Sequence, residues 1–121
     1  MCETILVRVD IDVWSSSVPE IRTKPILRES EKVLWVPVER KLTRRADVIR
    51  TEGVFQKNLL GRVTSARPGT KRAYFTVDAG ADIRRSEEYR MAVIAMLDQI
   101  YGDLAEAGNH LAEIEDVFYK D

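Results

Sequence analysis

The sequence predicts an α+β domain: a mostly antiparallel sheet of four or five strands, one short helix, and a long C-terminal helix packed across the sheet. Three observations carry this expectation. Residues 4–13 alternate apolar and polar side chains, residues 61–77 place two β-rich runs around a Pro-Gly turn, and an apolar stripe of helical period runs from Val93 to Phe118. At 121 residues the chain is expected to form one domain, 1–121, with a core that needs no staples.

The first strand is the most regular. Ile5, Val7, Val9, Ile11 and Val13 face one way, and Thr4, Leu6, Arg8, Asp10 and Asp12 the other. Ser15, Ser16, Ser17 and Pro19 end it in a loop. Ile21, Thr23 and the Pro25-Ile26-Leu27 step fit an edge strand, where proline is tolerated. Residues 33–38 are β-rich, but Pro37 lacks a ladder donor, which puts this run toward an edge or a bulge. The period then changes. Leu42, Ala46 and Ile49 share a helical face, so a short helix is expected over 42–51, ringed by Arg44, Arg45 and Arg50 and stopping before Gly53. Residues 54–60 carry no clear pattern. Residues 62–66 and 73–77 then flank the turn Arg67-Pro68-Gly69-Thr70 as a β-hairpin.

The long helix is predicted over about 86–118. Val93, Leu97, Ile100, Leu104, Ala107, Leu111, Ile114 and Phe118 follow at alternating steps of four and three. Ser86 suits the N-cap, and Glu87 and Glu88 the positive end of the helix dipole. Unbroken, residues 87–119 would reach about 50 Å, against a diameter of about 35 Å for a compact domain of this size. Either the helix breaks near Gly108-Asn109 and folds back, or its far end lies against another molecule. Its first half is apolar well beyond one seam and is expected to cover the sheet, with Val93, Leu97, Ile100 and Leu104 against Val7, Val9 and Ile11. Its second half has a narrower stripe beside Glu113, Glu115 and Asp116. That pattern makes Leu111, Ile114 and Phe118 the candidates for self-association, in a homodimer.

Net charge is −1, but it is unevenly spread. Residues 40–72 hold ten basic side chains against Asp47 and Glu52, while residues 73–121 hold eleven acidic and four basic ones. Two readings follow: the basic middle packs beside the acidic helix, or it meets an anionic partner. For the second, Arg44, Arg45, Arg62, Arg67, Lys71 and Arg72 are the candidate nucleic-acid contacts, since a basic ribbon can enter a groove and grip phosphates. The sequence pI of 5.9 argues against it.

Enzyme chemistry finds little support. The lone His110 excludes a histidine-rich metal centre and reads as a helical surface residue. The triple serine has no glycine elbow, and the glycines obey no phosphate-loop spacing. Asp10 and Asp12 share a strand face and could help hold a hard cation, but read more simply as the solvated face of an edge strand. One cysteine, Cys2, allows neither an intrachain disulfide nor a cysteine-based metal site. No secretion signal and no membrane span are recognised, so the cytoplasm is the expected location. The expectation is a non-catalytic binding or assembly protein that self-associates through its C-terminal helix, without cofactor or metal. The alternative is a nucleic-acid-binding accessory protein that uses segment 40–72.

Overall fold

The structure, a computed structural model, describes residues 3–15, 18–41, 48–103, 114 and 116–118. Its strands are β1 (Thr4–Asp12), β2 (Glu20–Pro25), β3 (Arg28–Glu29), β4 (Val33–Lys41), β5 (Val48–Gln56), β6 (Val63–Arg67) and β7 (Thr70–Asp78), followed by helix α1 (Glu87–Asp103). Short helical turns sit at Lys57–Leu59 and Ile83–Arg85. The α+β class read from the sequence is the observed one. The strands form two antiparallel sheets, a four-stranded one in the order β2-β1-β7-β6 and a three-stranded one in the order β3-β4-β5.

Local chemistry explains most of these elements. In β1 the odd residues Val7, Val9 and Ile11 are buried, as their alternation requires, and so is Val13 just past its end. Gly69 takes φ +82° at the centre of the β6–β7 turn, a conformation open to glycine and costly for other residues. Ser86 caps α1: its hydroxyl accepts from the Tyr89 N–H at 3.2 Å and donates to the Ile83 carbonyl at 2.6 Å. Pro37 stands in the interior of β4, in the centre of its sheet rather than at an edge. The Trp35 carbonyl accepts from Leu27 N–H, so the backbone groups of Trp35 and Pro37 point the same way, and the two-residue β3 ends before Pro37. The missing N–H therefore costs no ladder bond.

Three layers result. On one face of the larger sheet, α1 lies mainly over β7 and closes the principal core. Tyr89, Val93, Met96, Leu97 and Ile100 meet Val7, Val9 and Ile11 of β1, Val13 just past its end, and Ala73, Phe75 and Val77 of β7. The expected packing of Val93, Leu97 and Ile100 is thus observed; Leu104 lies outside the described residues. On the other face, Leu6 and Tyr74 meet Leu34, Val36 and Phe55 of the smaller sheet. The Phe55 and Tyr74 rings stand 4.7 Å apart, tilted by 56°.

One expectation is corrected, and one of two open alternatives is set aside. The helix over 42–51 gives way to a strand at least from Val48, where Val48, Ile49, Thr51, Val54 and Phe55 give β5 a strand composition; residues 42–47 lie outside the described residues. An unbroken helix over 86–118 is also excluded. Ile114 is 1% exposed in the same core as Tyr89, and the Tyr89 and Phe118 rings lie 6.5 Å apart. Along a straight helix those two residues would be about 44 Å apart, so Phe118 does not continue the straight line of α1. No described helix is long and apolar enough to cross a membrane.

Candidate functional site

The polar face of β1 builds the site. Opposite the core, Leu6, Arg8, Asp10 and Asp12 point toward the smaller sheet. The register sets Lys24 opposite Leu6, Arg22 opposite Arg8 and Glu20 opposite Asp10 on β2; Thr76, Tyr74 and Arg72 stand opposite the same three residues on β7. Arg8 and Arg22 are therefore a directly opposed cross-strand pair of like charge, an arrangement that costs stability. Their carboxylate partners lie along their own strands. Arg22 Nε is 2.8 Å from Glu20 Oε1, and Arg8 Nε is 2.9 Å from Asp10 Oδ2.

Asp10 serves two guanidiniums, since Arg72 Nε reaches its other oxygen at 2.6 Å. That bond is the main reason the Arg72 guanidinium is held above its ordinary value. The Arg8–Asp10 contact is close but poorly aligned, so the buried Arg8 Nε makes no hydrogen bond. One carboxylate thus stands against two arginines. Lys24 has no ion pair among the described residues.

A cleft of about 360 Å³ opens between the two sheets over this row of cations. Arg8, Arg22, Lys24 and Tyr74 line one wall beside Leu6; Val36, Val38 and Phe55 line the other, around the bare backbone of Gly53. A Cβ at Gly53 would run into Cγ2 of Val38, so glycine lets the Val38 side chain lie across β5. Among the described residues no acidic side chain lines the cleft. Its volume falls in the range of small-molecule sites, roughly 300–1,000 Å³.

The candidates read from the sequence fall elsewhere. Ile114 is buried in the chain's own core and Phe118 is partly buried against it; Leu111 lies outside the described residues. Of the basic candidates, Arg44 and Arg45 also lie outside them. Arg62 is exposed. Arg67 sits 3.5 Å from Asp12, and Arg72 is held by Asp10. Lys71, expected at an exposed hairpin tip, is instead 3% exposed and donates to the Ser65 hydroxyl at 3.0 Å. Lys57 and Arg50 pair with Glu29 and Glu39. These four ion pairs draw their acids from residues 1–39 rather than from the acidic C-terminal helix.

Asp10 and Asp12 do not form the solvated face of an edge strand, because β1 lies between β2 and β7. Asp12 instead ties the end of β1 into a turn. It accepts from the Trp14 N–H at 3.0 Å and the Ser15 hydroxyl at 2.9 Å. Burial works against its charge, but these bonds and Arg67 outweigh it and hold the carboxyl below its ordinary value. Among the described residues no group of three histidine, cysteine or acidic side chains is placed to hold a metal. Tyr89 is pushed up by burial, partly offset by Arg84, whose Nη1 donates to its hydroxyl at 3.0 Å. His110, Ser16 and Ser17 lie outside the described residues.

Arg8, Arg22 and Lys24 were not singled out from the sequence. Alternation alone places Arg8 on the face away from the core, but only the β1–β2 register puts Arg22 beside it. Compared with models of known protein families, with curated proteins and with solved structures, the chain matches none.

Proposed function

We propose that this chain is a non-catalytic binding protein of the cytoplasm, and that the cleft between its sheets takes an anionic group. The observation that carries the reading is the opposed pair Arg8–Arg22, with Lys24 beside it, in the wall of a cleft that no acid lines among the described residues. A sheet bears the cost of apposed like charges more readily where a bound anion offsets it. The polar groups in the cleft wall are two guanidiniums, an ammonium and a phenol. Such groups hold and orient an anion; arginine does not give up its proton at neutral pH. Self-association loses the support that Ile114 and Phe118 offered. Nucleic-acid binding through segment 40–72 is weakened by the carboxylates already at Lys57, Arg67 and Arg72.

The test is a thermal-shift screen of the whole chain against anions of different size, followed by titration of those that stabilise it. A ligand that binds the native state at 100 times its Kd raises stability by about 2.7 kcal/mol. The wild-type chain should be stabilised by at least one class of anion, and the effect should be lost in Arg22→Gln/Lys24→Gln. Stabilisation that persists in that double variant would place the anion elsewhere.

A further inference from the structure

We infer that the occupant of the cleft is a small amphipathic organic anion, a carboxylate or phosphate head on an apolar body. The inference rests on reading the cleft as the binding site, and it narrows that reading to one ligand chemistry.

Head and body each have a counterpart in the wall. Adjacent strands lie about 4.8 Å apart, and residues two apart along a strand about 6.6 Å. Arg8 and Arg22 are directly opposed and Lys24 is two residues along β2, so the three attach within about 8 Å of each other, close enough for their long side chains to converge on a single head group. Arginine meets a carboxylate or phosphate through paired N–H donors, and lysine adds a point charge. Charge balance favours an added anion here, because Asp10 is shared between Arg8 and Arg72 and Lys24 has no described carboxylate.

Most of the remaining described lining is apolar. Leu6 and Val36 are nearly buried in the contact between the two sheets, and Val38, Val54 and Phe55 present the apolar surface of the far wall. A bare inorganic ion would leave this surface unused. A polynucleotide fits poorly for a different reason. A cleft of about 360 Å³ takes one small molecule rather than a strand, and the aromatic faces that would stack bases are already engaged, Phe55 on Tyr74.

The experiment is calorimetric titration of the full chain with octanoate, octyl phosphate, octanol, inorganic phosphate and a single-stranded oligonucleotide. At least one of octanoate and octyl phosphate should bind, and the stronger of the two identifies the head group. Octanol and inorganic phosphate should each bind at least about tenfold more weakly than it, because each lacks half of the match. Arg22→Gln and Lys24→Gln, both at exposed positions, should each weaken the amphiphile about tenfold while leaving the far-ultraviolet circular dichroism unchanged. Arg8→Gln, in the sheet interior, should do the same if it folds. Inorganic phosphate binding as tightly as octyl phosphate would overturn the inference yet leave an anion site standing. So would an oligonucleotide that binds where the amphiphiles do not, provided Arg22→Gln weakens it. Binding of no anion at all would overturn the broader reading with it.

Discussion

On one side of β1, Val7, Val9, Ile11 and Val13 are at most 2% exposed and close against α1; on the other, Leu6 is buried while Arg8, Asp10 and Asp12 keep partial access to solvent. The same nine residues thus serve two environments of opposite design. Toward the helix, apolar side chains interdigitate and hold the layers together. Toward the smaller sheet, a short apolar contact around Leu6, Leu34 and Val36 gives way to a charged cleft. The helix side is spent on stability, and the sheet side keeps unspent charge and space. That contrast is why the candidate site belongs between the sheets.

Substitutions can break the contrast, and the largest effect should come from the helix side. Ile114→Asp puts a carboxylate into the principal core, so the chain should lose upward of about 4 kcal/mol, or fail to fold. The sequence alone had suggested a milder result, a dimer turned into monomers. Urea denaturation together with light scattering separates the two: a folded, stable monomer from a wild-type dimer would restore the self-association reading. Next come Leu97→Ala and Ile100→Ala, each expected to cost about 2–5 kcal/mol in urea midpoint analysis, from lost transfer energy plus the cavity left behind. A change below about half a kcal/mol at both would contradict the observed packing.

On the sheet side the effects should shrink. Val36→Ala removes two methyl groups beside a cleft that solvent can enter, so about 1.5 kcal/mol is expected. A loss matching Leu97→Ala would mean that the two faces are equally committed to stability. Smaller still is the acid response of Asp12. Its folded pKa lies below the unfolded value, so its contribution is complete above the ordinary carboxylate range and is lost as pH falls through the folded pKa. Asp12→Asn should therefore flatten the fall in melting temperature below about pH 4 and change little at neutral pH. An unaltered acid limb would show that the turn bonds do not favour the ionised form. Smallest of all, Arg67→Ala should shift stability by at most about 1 kcal/mol, since its ion pair is largely solvent-exposed.

What the sequence by itself determined about this protein is whatever local chemistry decides. The period of two in residues 4–13 set the buried face of β1, Pro68-Gly69 set the hairpin, Ser86 set the start of α1, and the stripe Val93-Leu97-Ile100 set the face it buries. Each depends on neighbours a few residues apart, so the pattern is written along the chain. The short helix expected over 42–51 gives way to strand from Val48 on, because three apolar residues at helical spacing are a weak signal beside a β-branched run. Tertiary structure alone decided the rest. Division of the strands into two sheets, the return of Ile114 and Phe118 to Tyr89, the burial of Lys71 and the meeting of Arg8 with Arg22 all join residues distant in sequence. A cross-strand register is chosen by the summed burial of whole faces, not by the few residues it brings together. The cations of the cleft are therefore ordinary surface residues in the sequence, and become a site only where the sheets fold over them.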